Sequence, residues 1–151
     1  MEINSPAFAH GAPIPREHTC DGKDVSPPLS FAAPPPGTLS LALIADDPDA
    51  PMGTWVHWVA WNIPAGSRSL PANLPGKDTL PDGTRQGIND FRRPGYGGPC
   101  PPSGTHRYYF RLYALDTSLD LPATTTRGDL DKAMRGHVLA QAELLGTYGR
   151  R

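Results

Sequence analysis

The apolar positions of this chain fall into three dense runs and one spaced series. Residues 38–45 (TLSLALIA) are almost continuously apolar, which predicts a strand buried on both faces. Residues 54–63 (TWVHWVAWNI) place Trp55, His57, Val59, Trp61 and Ile63 on one face and Val56, Trp58 and Ala60 on the other. Both faces are apolar, so a second strand belongs inside a layered sheet. Residues 106–115 (HRYYFRLYAL) alternate. His106, Tyr108, Phe110, Leu112 and Ala114 form a core-like face, while Arg107, Tyr109, Arg111 and Tyr113 reach toward water. A shorter strand is predicted at residues 29–31.

The spaced series is Leu130, Ala133, Met134, His137, Val138, Ala142 and Leu145. Its three- and four-residue intervals predict one C-terminal α-helix. Thr126 followed by Asp129 has the form of a capping box at its start, Gly136 weakens its middle, and Gly146 is a natural end.

Composition agrees with a mainly β chain. Nineteen prolines and sixteen glycines in 151 residues argue against a helix bundle, since Pro costs about 3 kcal/mol and Gly about 1 kcal/mol in a helix interior. The charged fraction of 19% lacks the excess of a disordered tail. Net charge is −1 and no basic run exceeds a pair (Arg92-Arg93, Arg150-Arg151), so the basic footprint of a nucleic-acid binder is absent. No apolar run approaches the roughly 20 residues of a membrane span, and no signal peptide is visible at Met1–Pro6. Two cysteines, Cys20 and Cys100, make neither a disulfide framework nor a CxxC metal motif. The expectation is a reduced cytoplasmic protein of one domain, residues 1–151, with a single Cys20–Cys100 bridge left open.

Three junctions are more polar than a plain core needs. The first is DDPDAP (residues 46–51), where two prolines hold the carboxylates of Asp47 and Asp49, and Ala50–Pro51 is a candidate cis bond. Its bland alternative is an Asp-capped turn. The second is His57, the one polar side chain on its strand face; a lone histidine there is more often a satisfied core residue. The third is GGPCPP (residues 97–102) running into His106 and Tyr108, which point the same way at a strand entrance.

The ordered set DPDAP, GTWVHWVAWNIP, GINDF, GYGGPCPPSGTHRYYFRLYALD and GHVLAQAELLGTYGR, with TCDG and SPPLSF before it, resembles the phosphatidylethanolamine-binding protein family, in its bacterial and archaeal Raf kinase inhibitor-like branch. The resemblance implies an antiparallel β-sandwich with a small helix count and an anion-binding cavity at one end of the large sheet. By motif match the cavity residues are Asp47, Asp49, His57, Pro101, Pro102, His106 and Tyr108, with Gly98, Pro99 and Cys100 on the rim. It further implies a small anionic or phosphorylated ligand, a regulatory role as inhibitor of a kinase or protease, a homodimer, and neither metal nor other cofactor. Arg92 stands where the family commonly has glycine, which puts the local turn in question. The competing reading is an enzyme, metal-dependent or acid–base, built on Asp47, His57 and His106 with Cys100 nearby; no nucleophile elbow accompanies it.

Overall fold

The long apolar run sits at the middle of a sheet, where both of its faces have to be covered. The computed structural model describes residues 1–150. Among them the elements run β1 (Ile3–Asn4), β2 (Leu29–Phe31), β3 (Ser40–Asp47), β4 (Trp55–Pro64), β5 (Ser69–Leu70), β6 (Arg85–Gln86), β7 (Gly104–Leu115), α1 (Arg127–Met134) and β8 (Val138–Arg150). All eight residues of β3 are buried. It is the third strand of a sheet ordered β6-β4-β3-β7-β8, and a small sheet ordered β1-β2-β5 lies apart from it. Every strand pairing is antiparallel.

The two faces of β3 feed two separate clusters. Leu41, Leu43 and Ala45 join Trp58, Phe110 and Leu112 against Ile3, Leu29, Phe31 and Leu70 of the small sheet. Ala42 and Ile44 join Val59 and Trp61 on the opposite face, where Leu130 and Met134 of α1 cover them. Large apolar side chains removed from water on both faces each contribute roughly 1.5–3 kcal/mol. This is the mainly β architecture with one helix that composition and periodicity predict, and its two antiparallel sheets are what the family resemblance implies.

The helix is shorter than its periodicity predicts, and a strand follows it. It starts as expected: the Asp129 carboxylate accepts from the Thr126 N–H and hydroxyl, each at 3.1 Å. It ends at Met134, and Gly136 then takes φ 80°, a left-handed conformation that glycine adopts without steric cost. From Val138 onward the chain pairs with β7 over its whole length, from Leu115↔Val138 to Gly104↔Arg150. Of the spaced apolar series, Leu130 and Met134 suffice to cover the sheet, and Ala142 packs on the opposite face. The β7 backbone needs a partner along its outer edge, and that requirement overrides the local helical spacing.

Strand β4 does not keep the simple alternation of the sequence reading. Val56, Val59 and Trp61 share one cluster, and Trp58, Ala60 and Ile63 share the other. Two ladder shifts cause this: β3–β4 pairing steps from Ala45↔Trp58 to Asp46↔Val56, and from Leu41↔Ile63 to Leu43↔Ala60. The second shift accompanies Asn62 at φ 54°, whose side-chain amide bonds both the N–H and the carbonyl of Leu119. The first leaves His57 as the extra residue, a bulge of the kind that re-aims a side chain next to a site.

Two further expectations are corrected. Ala50–Pro51 is trans, as is every peptide bond among the described residues; the turn there closes without a cis bond through Gly53 N–H to the Ala50 carbonyl at 3.1 Å. The cysteines are joined rather than reduced, with Cα atoms 5.4 Å apart across 80 positions. The two loops are also tied beside the bridge, by Cys20 N–H to the Pro99 carbonyl at 3.1 Å and Gly98 N–H to Asp24 Oδ1 at 2.7 Å.

Candidate functional site

The strand ends that carry Asp47, His57 and His106 meet at one end of the large sheet. Asp46 and Asp47 are consecutive on β3 and therefore serve opposite faces. Asp46, 1% exposed, accepts from Arg111 Nε at 2.9 Å and Arg127 Nη1 at 2.8 Å beneath α1. Asp47, 3% exposed, turns the other way, and its Oδ2 lies 2.7 Å from His106 Nδ1. Its Oδ1 accepts the backbone N–H of Asp49 at 2.8 Å. One carboxylate thus fixes both its own turn and the neighbouring imidazole.

Asp49 does a different job from the one its motif match suggests. It is absent from the cavity lining. Its carboxylate is clamped by Arg107, which donates Nε at 2.9 Å, Nη2 at 2.8 Å and its backbone N–H at 2.9 Å. Those bonds, opposed in part by burial, hold the Asp49 pKa down at about 2. The clamp ties the 47–51 turn to β7 one residue beyond His106.

His57 is 4% exposed. Its Nδ1 lies 2.7 Å from the Gly97 carbonyl, an acceptor only, so Nδ1 carries the proton and Nε2 is left as a bare acceptor. Burial pushes the imidazole pKa down, against the raising effect of the Gly97 carbonyl and Asp47. The ring is therefore neutral at physiological pH. Phe91 and Tyr108 pack edge-on against it at 5.4 and 5.3 Å. Tyr108 is 2% exposed, and its hydroxyl has no hydrogen-bond partner among the described residues. Burial, and then the negative Asp47, push that phenol well above its ordinary pKa.

These groups open on a cavity of about 270 Å³. Asp47, His57 and His106 are its polar wall; Ala50, Pro51, Cys100, Pro101 and Pro102 form the loops around it; Trp55 and Phe91 stand at the side. Of the ten residues expected at the site, six line the cavity: Asp47, His57, Cys100, Pro101, Pro102 and His106. Tyr108 lies behind His57. Gly98 and Pro99 face the 16–25 loop instead, and a Cβ on Gly98 would collide with Asp24 Oδ1 and the His18 carbonyl. Sequence reasoning missed Trp55 and Phe91, which stack edge-on at 5.4 Å. The signal for Phe91 was its place in GINDF: Asn89 and Asp90 build the turn, with Asp90 Oδ2 accepting the Val56 N–H at 2.7 Å. Arg92, in the turn that follows, takes φ 65°, a left-handed conformation that glycine adopts more readily.

With Cys100 bonded to Cys20, its sulfur is no thiolate ligand for a metal. No group of three or more His, Cys, Asp or Glu side chains with metal-holding geometry occurs among the described residues.

Comparison with known proteins gives the family and the fold. The phosphatidylethanolamine-binding protein family profile matches residues 4–149. A UPF0098 protein of Methanothermobacter thermautotrophicus is 53% identical over 150 residues, covering 99% of each chain. One from Aquifex aeolicus is 50% identical, covering 99% of this chain and 89% of its own. Among solved structures, a phosphatidylethanolamine-binding protein homolog from Chlamydia trachomatis superposes with TM-score 0.91 at 40% identity, over 99% of this chain and 97% of that one. E. coli YbcL, described as a new member of the mammalian family, gives TM-score 0.91 at 33% identity, over 99% and 98%. With nearly its whole length matched in sequence and in fold, this chain belongs to the phosphatidylethanolamine-binding protein family.

Proposed function

We propose that this protein is a binding module for a small, singly ionised phospho-ligand, held in the cavity walled by Asp47, His57 and His106. The observation that carries the reading is the hydrogen-bonding state of His57, which lines the cavity: Nδ1–H is committed to Gly97, so Nε2 is the ring nitrogen left to accept from a ligand. Such a wall asks for a ligand that donates a proton as well as one that carries charge. A phosphate monoanion has a P–OH for His57 Nε2 and an ionised oxygen for His106 Nε2, which donates to it when that ring carries both protons, its Nδ1–H being held by Asp47.

Charge points the same way. A second negative charge about 5 Å from Asp47 would cost roughly 3 kcal/mol at an effective dielectric constant near 20. The cavity wall contains no lysine or arginine to offset it. The monoanion is therefore selected, and the ligand's second pKa, about 6 when free, rises on binding. Affinity for O-phosphoethanolamine should increase as pH falls, by up to about tenfold between pH 8 and 7, while the free ligand is mainly dianionic. Calorimetric titration at several pH values tests this, and an affinity that is flat or climbs with pH overturns it. His106→Ala should remove the binding. Regulation of a kinase or protease from this cavity would be lost in the same variant, whereas inhibition by a surface loop such as 71–94 would survive it.

A further inference from the structure

A second concavity, of about 550 Å³, adjoins the first, and the two share Pro102 as a common wall. It is lined by Arg16, Asp21, Pro102, Tyr148, Gly149 and Arg150. Its chemistry is the reverse of its neighbour's. The first has a buried carboxylate and no arginine; the second has two guanidinium groups against one carboxylate.

That carboxylate is already used. Asp21 accepts from the Tyr148 hydroxyl at 2.6 Å and from Arg150 Nε at 3.1 Å, with Arg150 Nη2 on its other oxygen. Arg16 gives only its Nε, to the Asp21 carbonyl at 2.8 Å. Both terminal nitrogens of Arg16, and Nη1 of Arg150, make no hydrogen bond to the described residues. Arg16 is positioned by the turn that ends at His18, and Arg150 by its place on β8 opposite Gly104. The result is a fixed, net-positive set of open donors on the far side of one proline from the candidate phosphate cavity.

We infer that this compartment receives a second acidic group of the same ligand, so that the preferred ligand class is a small phosphomonoester bearing a further phosphate or carboxylate. The inference deepens the reading of the first cavity and rests on it for the placement of the first phosphate. Guanidinium groups suit this role because they present several donors to phosphate or carboxylate oxygens at once. The partial exposure of both arginines keeps the gain moderate.

The test is calorimetric titration of the full chain at low ionic strength with inorganic phosphate and with a series of alkane-α,ω-diol bisphosphates of increasing length. The bisphosphate of fitting length should bind about tenfold more tightly than phosphate. Arg16→Gln, Arg150→Gln, or raised salt should each bring that ratio toward one. Because the ratio is the readout, a general weakening caused by a disturbed 16–25 loop does not imitate the result. A ratio near one for every length in the wild type, or a ratio unchanged in both variants, overturns the inference. Failure of the first reading looks different: inorganic phosphate would then show no His106-dependent binding, while bisphosphate binding that depends on the arginines would remain.

Discussion

The Cys20–Cys100 bridge allows a quantitative test of how the two loops are held. It closes a loop across 80 positions. In the chain-entropy treatment, cutting a loop of that size releases about 4.5 kcal/mol of conformational free energy to the unfolded chain at 25 °C, and measured native bridges typically contribute about 2–4 kcal/mol. The folded state should change little, because Cys20 N–H, Gly98 N–H and the Tyr96 hydroxyl (donating to the His18 carbonyl at 2.7 Å) hold the loops independently. Reduction, or Cys20→Ser with Cys100→Ser, should therefore lower stability by about 2–4 kcal/mol, most of it through the unfolded ensemble. For a chain of this size that is roughly 5–15 °C in Tm. Guanidinium unfolding with and without a phosphine reductant measures it, alongside a free-thiol count. The m-value should rise on reduction, since an unlinked unfolded chain exposes more surface. A loss below about 1 kcal/mol, with the thiol count confirming complete reduction, would refute the reasoning.

Gly98→Ala should destabilise by about 2 kcal/mol or more, because its Cβ meets Asp24 and the His18 backbone and the 16–25 loop must move; unfolding at neutral pH reads this directly. Arg92→Gly should stabilise by about 0.5 kcal/mol, the relief of a left-handed φ of 65° outweighing the added freedom of the unfolded chain; a loss of stability contradicts it. Asp49→Asn should lower stability at neutral pH through loss of the Arg107 clamp. The Asp49 pKa falls from 3.8 to about 2 on folding, so its contribution is present above pH 3.8 and disappears as pH drops through about 2. Urea midpoints for the two proteins should converge over that range, and a constant gap would assign the cost to something other than the ion pair.

The long strands were legible because burial on two faces leaves a dense apolar signature, as in residues 40–47 and 55–64. The two-residue strands β1, β5 and β6 carry no such pattern; they exist because a neighbouring backbone is available to pair with them. Strand β8 does contain a period-two pattern, with Ala140, Ala142 and Leu144 facing the core. Small residues weaken it, and the competing spacing through Leu130 and Met134 belongs to the real helix just before. At the site, proline-rich motifs marked Asp47, Pro101, Pro102 and His106 because rigid turns are visible in sequence. That Asp49 is clamped by Arg107, and that Phe91 faces His57, depends on side-chain directions across four separate segments, which no local pattern records.

The bulge at His57 separates the sheet from its imidazole. Opposite Ala45 and Asp46 the ladder matches Trp58 and Val56, so the hydrogen-bonding register runs as if residue 57 were not there. Removing that single residue would make the ladder continuous at this end, with Trp55 and Trp58 still on one face and Val56 on the other, and only the shift at Asn62 would remain. At this end the sheet's register is set by the residues on either side of position 57, and the one extra residue supplies both the neutral imidazole at the cavity mouth and, through its carbonyl to the Gly97 N–H at 2.9 Å, the anchor of the 97–102 loop.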